Sequence, residues 1–417
     1  MNKKTENKAV SPWQWVPSLY FAQGLPYVVV MSVAVILFKR MGMSNTDIAL
    51  YTSGLNLPWV IKPLWSPLVD LLKTKRWWIV VMQILVGAGL AGIALTIQGP
   101  LAFRYCLAFM WLLAFSSATH DIAADGFYML GLNEKKQAYF VGIRNTFYRF
   151  AVIFGQGILV MFAGWLEQRY AREMPETAAI PQAWSLTFYL LTILFALLFV
   201  YHYLFLPHPR RDTCTLPPQQ ASAGRVFKEF LGTFTSFFQK KHIVSALIFI
   251  LLYRFAEAQL VKITSPFLLD TPATGGLALS TAEVGFIYGT IGVIALTIGG
   301  IVGGIAMARR GLKSCLWTMT IAMNLPNIVY LYLSFARPES IGIISGCVAI
   351  EQFGYGFGFT SLTYFMMLFS NGKHQTAHYA ICTGFMALGL MLPGMISGWI
   401  EESIGYRAFF VWIMLCT

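Results

Sequence analysis

Apolar runs of about 20 residues, each long enough to cross a hydrocarbon core of roughly 30 Å, recur from one end of this chain to the other. With no water in a bilayer to satisfy peptide groups, only helices and closed barrels can span it, and apolar runs of this length are helices. They fall near 14–38, 47–71, 77–97, 101–130, 138–165 and 182–206, then near 242–268, 281–307, 314–334, 340–369, 375–398 and from 405 onward. The expected fold is therefore an all-α polytopic membrane protein with twelve spans in two sets of six. The last run stops at Thr417 after about 20 Å of helical rise, too little to cross, so a truncated twelfth helix is expected. The recurrence of such runs along the whole chain excludes a soluble domain with a single anchor, and a composition of 57% hydrophobic and 12% charged residues lies outside the range of a soluble chain.

A net charge of +12 would suggest nucleic acid in a soluble protein, but here the basic residues sort by side of the membrane. With the N-terminus inside, the inner loops and tail collect most of the 30 Lys and Arg residues, among them Lys73, Lys75, Arg76, Lys135, Lys136, Arg210, Arg211, Arg309 and Arg310. Both termini should be cytoplasmic, and no nucleic-acid partner is implied. The polar first ten residues lack a cleavable signal pattern, so the first span should act as its own insertion signal. The six cysteines show no paired spacing, and His120, His374 and His378 form no complete ligand set, so no disulfide, metal or cofactor is expected.

Organisation follows from a polar, proline-bearing stretch at 207–241, read as a cytoplasmic linker between a six-helix bundle at 1–206 and a second at 242–417. The halves carry a weak parallel repeat: one offset places Ser44-Asn45-Thr46-Asp47 on Ser280-Thr281-Ala282-Glu283, Gln23 on Gln259 and Lys73 on Arg309. Each Ser with an acid three residues on has the form of a capping box where a helix enters the membrane. The loop holding Asp70, Lys73, Lys75 and Arg76 is similar to the acid-plus-basic loop of major facilitator proteins, where a carboxylate at a helix end can hold a gate through cations on neighbouring spans. Its cations read equally well as topology determinants alone. Gly299, Gly300, Gly303 and Gly304, with Gly354, Gly356 and Gly358, predict close helix contact. Pro26, Pro58, Pro326 and Pro393 should bend their spans.

Ionisable groups within spans cost at least about 2.5–3.5 kcal/mol each at mid-bilayer and so mark a pathway or a coupling site. Asp121 and Asp125 share one face of the fourth span. Folding spans four and five as a hairpin about Lys135 brings Asp125 level with Arg144 and Asp121 level with Arg149, with Lys62 reaching the same depth from the second span. Two readings stay open: an ion-pair clamp that fixes packing, or carboxylates that exchange a proton beside cations that bind substrate carboxylates. In the second half Arg254, Glu257 and Glu351 should lie near mid-membrane; Arg254 with Glu257 alone would be structural, whereas a cluster with Glu351 would line a central cavity. Lys262, near an outer end, should snorkel. Tyr20, Gln23 and Tyr27 offer aromatic faces and an amide suited to a sugar, or else a buried stripe.

Three stretches carry a family resemblance: Tyr20-Phe-Ala-Gln-Gly-Leu-Pro-Tyr27, Leu57-Pro-Trp-Val-Ile-Lys62-Pro-Leu-Trp65 with Pro67 and Asp70, and Ser117-Ala-Thr-His-Asp121-Ile-Ala-Ala-Asp125. In this order they resemble the AmpG muropeptide permeases of the major facilitator superfamily and, more distantly, acetyl-CoA transporters. They lie in the first half; the second resembles the family in architecture only. The resemblance implies a non-enzymatic, proton-driven importer of N-acetylglucosaminyl-1,6-anhydro-N-acetylmuramyl peptides in the bacterial inner membrane. Such import serves cell-wall recycling and, in some bacteria, β-lactamase induction. On this reading Asp121, Asp125, Glu257 and Glu351 handle protons, and Tyr20, Gln23, Tyr27, Lys62, Arg144, Arg149 and Arg254 bind substrate. Asp70, Lys73 and Arg76 gate, and the protein works as a monomer. One departure is that many members continue the third motif with a basic residue and a further acid, where this chain reads Gly126-Phe127-Tyr128-Met129-Leu130. The same cations would suit another anionic solute, such as an acyl-CoA or nucleotide conjugate; a drug exporter would show a more apolar cavity.

Overall fold

The computed structural model describes residues 11–209, 212, 231–232, 234–371 and 375–417. Among these the chain is helical, without strands. In order the helices are α1 (Pro12–Arg40), α2 in two pieces (Asn45–Gly54 and Leu57–Leu72), α3 (Lys75–Thr96) and α4 (Ala102–Gly131). Then come α5 (Glu134–Val152 running on to Leu159–Tyr170), α6 (Glu176–Phe205), α7 (Ile243–Leu269), α8 (Thr281–Arg310), α9 (Leu312–Ala336), α10 (Ile341–Phe369) and α11 (Gln375–Leu415).

Nine helices among the described residues are long and apolar enough to span a membrane. The difference from twelve lies in three places. Helix α2 breaks at Leu55-Asn56, α10 is not among the nine, and the last two expected spans run together as α11, interrupted at Gly405 where φ is +76°. Pro26 lies inside α1 and is followed by a widened π turn at Val29–Val33. Pro326 sits in a 3₁₀ turn that interrupts α9. Most of the linker lies outside the described residues.

Helix contacts fall into two groups. α1 to α6 pack among themselves, as do α7 to α11, and the groups meet along α2 with α11, α5 with α8, and the end of α1 with α7. The glycines make the close approaches. A Cβ at Gly299 would meet the Phe353 carbonyl, and one at Gly356 would meet the Leu296 carbonyl and the Gly300 amide, so α8 and α10 touch backbone to backbone. Gly356→Val is therefore expected to destabilise the protein by about 1–3 kcal/mol, read as a lower unfolding temperature in detergent. Gly304→Val, whose Cβ meets nothing within 4 Å, should leave it unchanged.

The two Ser caps form, with one difference. Ser280 and Glu283 complete a reciprocal capping box, whereas Ser44 accepts from the Asp47 amide at 3.0 Å and donates its hydroxyl to the Asp47 carboxylate at 2.9 Å. Asp is one methylene shorter than Glu, and its side chain turns to the cap hydroxyl instead of the cap amide.

Candidate functional site

A cavity of about 640 Å³ lies between the halves, walled by α1, α2, α4, α5, α7 and α11. It reaches Lys75, Met129 and Tyr379 at one end. Of the residues expected to bind substrate or protons, Gln23, Tyr27, Lys62, Asp121, Asp125, Arg144 and Arg254 line it. Tyr20, Arg149, Glu257 and Glu351 do not.

The depth match of Asp125 with Arg144 holds, with Oδ1 to Nη1 at 3.4 Å. Helix α1 packs on both α4 and α5. Hence Tyr20 of α1 enters the pair: its hydroxyl donates to Asp125 at 3.0 Å and accepts from Arg144 at 3.0 Å. The guanidinium stacks 4.6 Å from the Tyr20 ring and 5.2 Å from that of Tyr128. Tyr20 is thus 2% exposed and committed to the ion pair, so it offers no open face to a sugar.

The second rung is replaced. Asp121 takes Lys62 as its ion partner and accepts a hydrogen bond from Gln23, and among the described residues Arg149 forms no ion pair with it. Helical geometry gives the reason. Arg144 and Arg149 differ by five residues, about 140° around the helix, so equal depth with the two acids cannot mean a common face.

In the second half, Arg254 does not pair with Glu257. It caps the Phe255–Leu269 piece of α7, which follows a break after Leu252, and lies between the Tyr355 and Phe359 rings at 5.1 and 5.0 Å, donating to the Tyr355 hydroxyl at 2.5 Å. Glu257 is 1% exposed with neither carboxyl oxygen partnered. Glu351, equally buried and within its electrostatic reach, accepts from the Tyr330 hydroxyl and the Gln352 amide, both at 3.0 Å. These two acids interact but stand behind the cavity wall, contrary to the expectation that such a cluster would line it.

The expected gate residues sit at the Lys75 end. The Asp70 side chain lies outside the described residues, and Lys73 is exposed with its ammonium 5.9 Å from the Trp77 ring. Arg76 donates to the carbonyls of Leu206, at 3.2 Å, and Tyr203. The carboxylate that serves this end is Asp212, which accepts from the amides of Lys75 at 2.7 Å and Arg76 at 3.0 Å, capping α3. These contacts stay close to the first half, so they do not bridge the cavity mouth.

The opposite end is sealed by a network that the sequence does not announce. Lys39 pairs with Asp270 at 2.7 Å, Tyr406 donates to the same carboxylate at 2.5 Å, and Asn45 donates to Glu401 at 2.7 Å and to Tyr406 at 2.8 Å. Beside it Glu167 accepts from Arg40, Trp184 and Thr281, tying α5 to α8. Sequence reading also misses Trp59, which lines the cavity edge-on to Tyr27 at 5.1 Å and supplies the aromatic surface expected of Tyr20.

Two helical groups around an ion-paired cavity, closed at one end by contacts between the groups, define a secondary transporter rather than an enzyme. The chain belongs to the Major Facilitator Superfamily, whose sequence profile matches residues 18–377. It is 25% identical over 408 residues to a protein named putative transporter AmpG 4 in Rickettsia conorii, covering 95% of this chain and 92% of that one. It is 24% identical over 400 residues to the anhydromuropeptide permease of Escherichia coli K12, covering 94% of this chain and 75% of that one. Similarity to AmpG therefore extends beyond the three motifs into the second half. Among solved structures, the nucleoside transporter NupG superposes with a TM-score of 0.68 at 15% identity, covering 97% and 96% of the two chains. A D-xylose-proton symporter gives 0.66 at 12% identity, covering 96% and 94%.

Proposed function

We propose that this protein imports anhydromuropeptides from periplasm to cytoplasm across the bacterial inner membrane, driven by the proton gradient, with both termini and the Lys75 end cytoplasmic. The observation that carries this reading is the charge of the cavity wall: among its described residues, Lys62, Arg144 and Arg254 face a solute beside Asp121 and Asp125. A net positive wall selects an anionic solute, and a stem peptide brings carboxylates. Tyr27 and Trp59 supply an aromatic surface for sugar rings. A volume near 640 Å³ lies within the roughly 300–1,000 Å³ usual for small-molecule sites. The names of the relatives point the same way.

Protons move, on this reading, through Asp125, the more open of the two acids, its side chain 39% exposed against 21% for Asp121. Glu257 and Glu351 serve as a second buried acid pair. Both carboxyl oxygens of Glu257 are free to bond in the present conformation. In proteoliposomes, labelled anhydromuropeptide should accumulate when the lumen is alkaline relative to the medium and should equilibrate without a gradient. No entry under any gradient, by folded protein that moves an acyl-CoA or nucleotide conjugate instead, would remove the muropeptide assignment.

A further inference from the structure

Lys262 does not snorkel. It is 2% exposed in α7, its ammonium donates to the Thr52 hydroxyl of α2 at 3.2 Å, and no carboxylate lies within ion-pair distance of it among the described residues. Thr52 spends its own proton on the Ile48 carbonyl at 2.7 Å, so it can only accept from Lys262. Beside it the Ser53 hydroxyl is fully buried and has no partner. Gly394 of α11 closes the group: a Cβ there would lie 2.6 Å from the Ser53 Oγ and 3.5 Å from the Lys262 Cγ. An ammonium on Thr52 and the free hydroxyl of its neighbour Ser53 thus lie where the two halves meet, with nothing anionic among the described groups within bonding distance of either.

The position continues the transport path. On α2 the cavity-lining residues Asn56, Trp59, Lys62 and Ser66 form one stripe, and Thr52 lies one turn beyond Asn56 toward the Lys39 end, across the break in this helix. On α11 Leu390 lines the cavity and Gly394 stands one turn beyond it. On α7 Arg254 lines the cavity and Lys262 lies about 12 Å further along the helix. Three walls of the cavity, extended toward the seal, meet at Lys262.

We infer that Lys262, with Ser53, is the entry site for the solute's carboxylate. It is shut between the halves in the present conformation and exposed to the periplasm when the Lys39 seal parts, and it hands the anion inward to Arg254 and Lys62. The inference rests on the import reading given above and names its outer binding site. A lysine that served packing alone would need no hydroxyl donor beside it and no alignment with the path.

Two measurements test it. In vesicles with the Lys39 end outward, Ser53→Cys is labelled with a sulfonate-bearing and a quaternary-ammonium-bearing methanethiosulfonate. Rates are normalised to those with free cysteine and corrected for labelling of the parent chain. The anionic reagent should be favoured about tenfold, the preference should persist in Lys262→Arg, and it should vanish in Lys262→Gln. No preference while Lys262 is present, or no labelling from that side under any gradient, overturns the entry site, and neither outcome depends on which solute is carried. In uptake assays Lys262→Gln should raise KM about tenfold for anhydromuropeptide with free carboxylates, with kcat within a few-fold. It should leave KM unchanged for the fully amidated compound. An equal KM in both proteins for the free acid would likewise overturn it. Failure of the unsubstituted protein to take up muropeptide would remove the import reading and leave the labelling ratio to decide Lys262.

Discussion

Asp125→Asn is expected to reduce gradient-driven uptake to the level of empty liposomes while leaving exchange of labelled for unlabelled solute across the membrane intact. Asparagine keeps the shape and still accepts from the Tyr20 hydroxyl, but it has no carboxyl to load and unload. Exchange needs no net proton movement; accumulation against a gradient does. The same substitution also leaves Arg144 without its carboxylate. Breaking a fully buried ion pair costs about 3–5 kcal/mol. With the Asp125 side chain 39% exposed and the pair at 3.4 Å, a discounted figure of about 1–2 kcal/mol applies. Arg144 also keeps its stacking on Tyr20 and Tyr128, so the variant should fold.

That residual cost is what separates a clamp from a proton site. The double variant Asp125→Asn with Arg144→Gln removes both charges together and should recover most of the lost unfolding temperature. If the pair only fixed packing, gradient-driven uptake would recover with it. If Asp125 carries the proton, stability and exchange of labelled for unlabelled solute return and accumulation does not; loss of exchange as well would mean that the missing Arg144 has weakened solute binding. Recovery of accumulation in the double variant would sink the coupling role assigned to Asp125.

Depth was legible in the sequence and direction was not. Counting residues from the loop at Lys135 placed Asp125 opposite Arg144, and counting from Asp70 placed Lys62 at the level where it meets Asp121. Helical rise is the same in every helix, so such counts survive without coordinates. Rotation about the axis and the choice of neighbouring helix are set by packing. Thus depth alone pairs Arg149 with Asp121, and nothing in the sequence shows that α1 packs on both α4 and α5. The glycines of α8 and α10 were readable because a missing side chain has one common use in a helix pair. Lys262 was not, because a lysine that snorkels and one shut between two halves have the same sequence signature. The seal was hidden for another reason: Lys39, Asn45, Asp270, Glu401 and Tyr406 each read as an ordinary helix-end residue, and only the meeting of four helix ends makes them a set.

Dismantling that seal should move the protein toward the opposite conformation. Asp270 and Lys39 have side chains only 18% and 13% exposed, and the carboxylate also receives the Tyr406 hydroxyl, so this is a largely desolvated contact. It exists in the closed-seal state alone: once the Lys39 end opens, water solvates each group separately. Asp270→Asn with Glu401→Gln removes the negative members of the network and leaves side chains of nearly the same size. The closed state loses its charge-assisted bonds and the open state loses nothing comparable. A differential of about 1.4 kcal/mol changes the ratio of the two states tenfold. Spin labels at Gln98→Cys and Glu339→Cys, exposed loop positions on the two halves at this end, should show a longer distance gaining population by about that factor. Labelling of Ser53→Cys from the same side should accelerate in parallel. Uptake should become slower, because each cycle must close the seal again without the contacts that favour closure. An unchanged distance distribution in the double variant would mean that the close helix approaches at Gly398 against Asn45 and Gly164 against Ala282 hold this end shut, with the polar network contributing little.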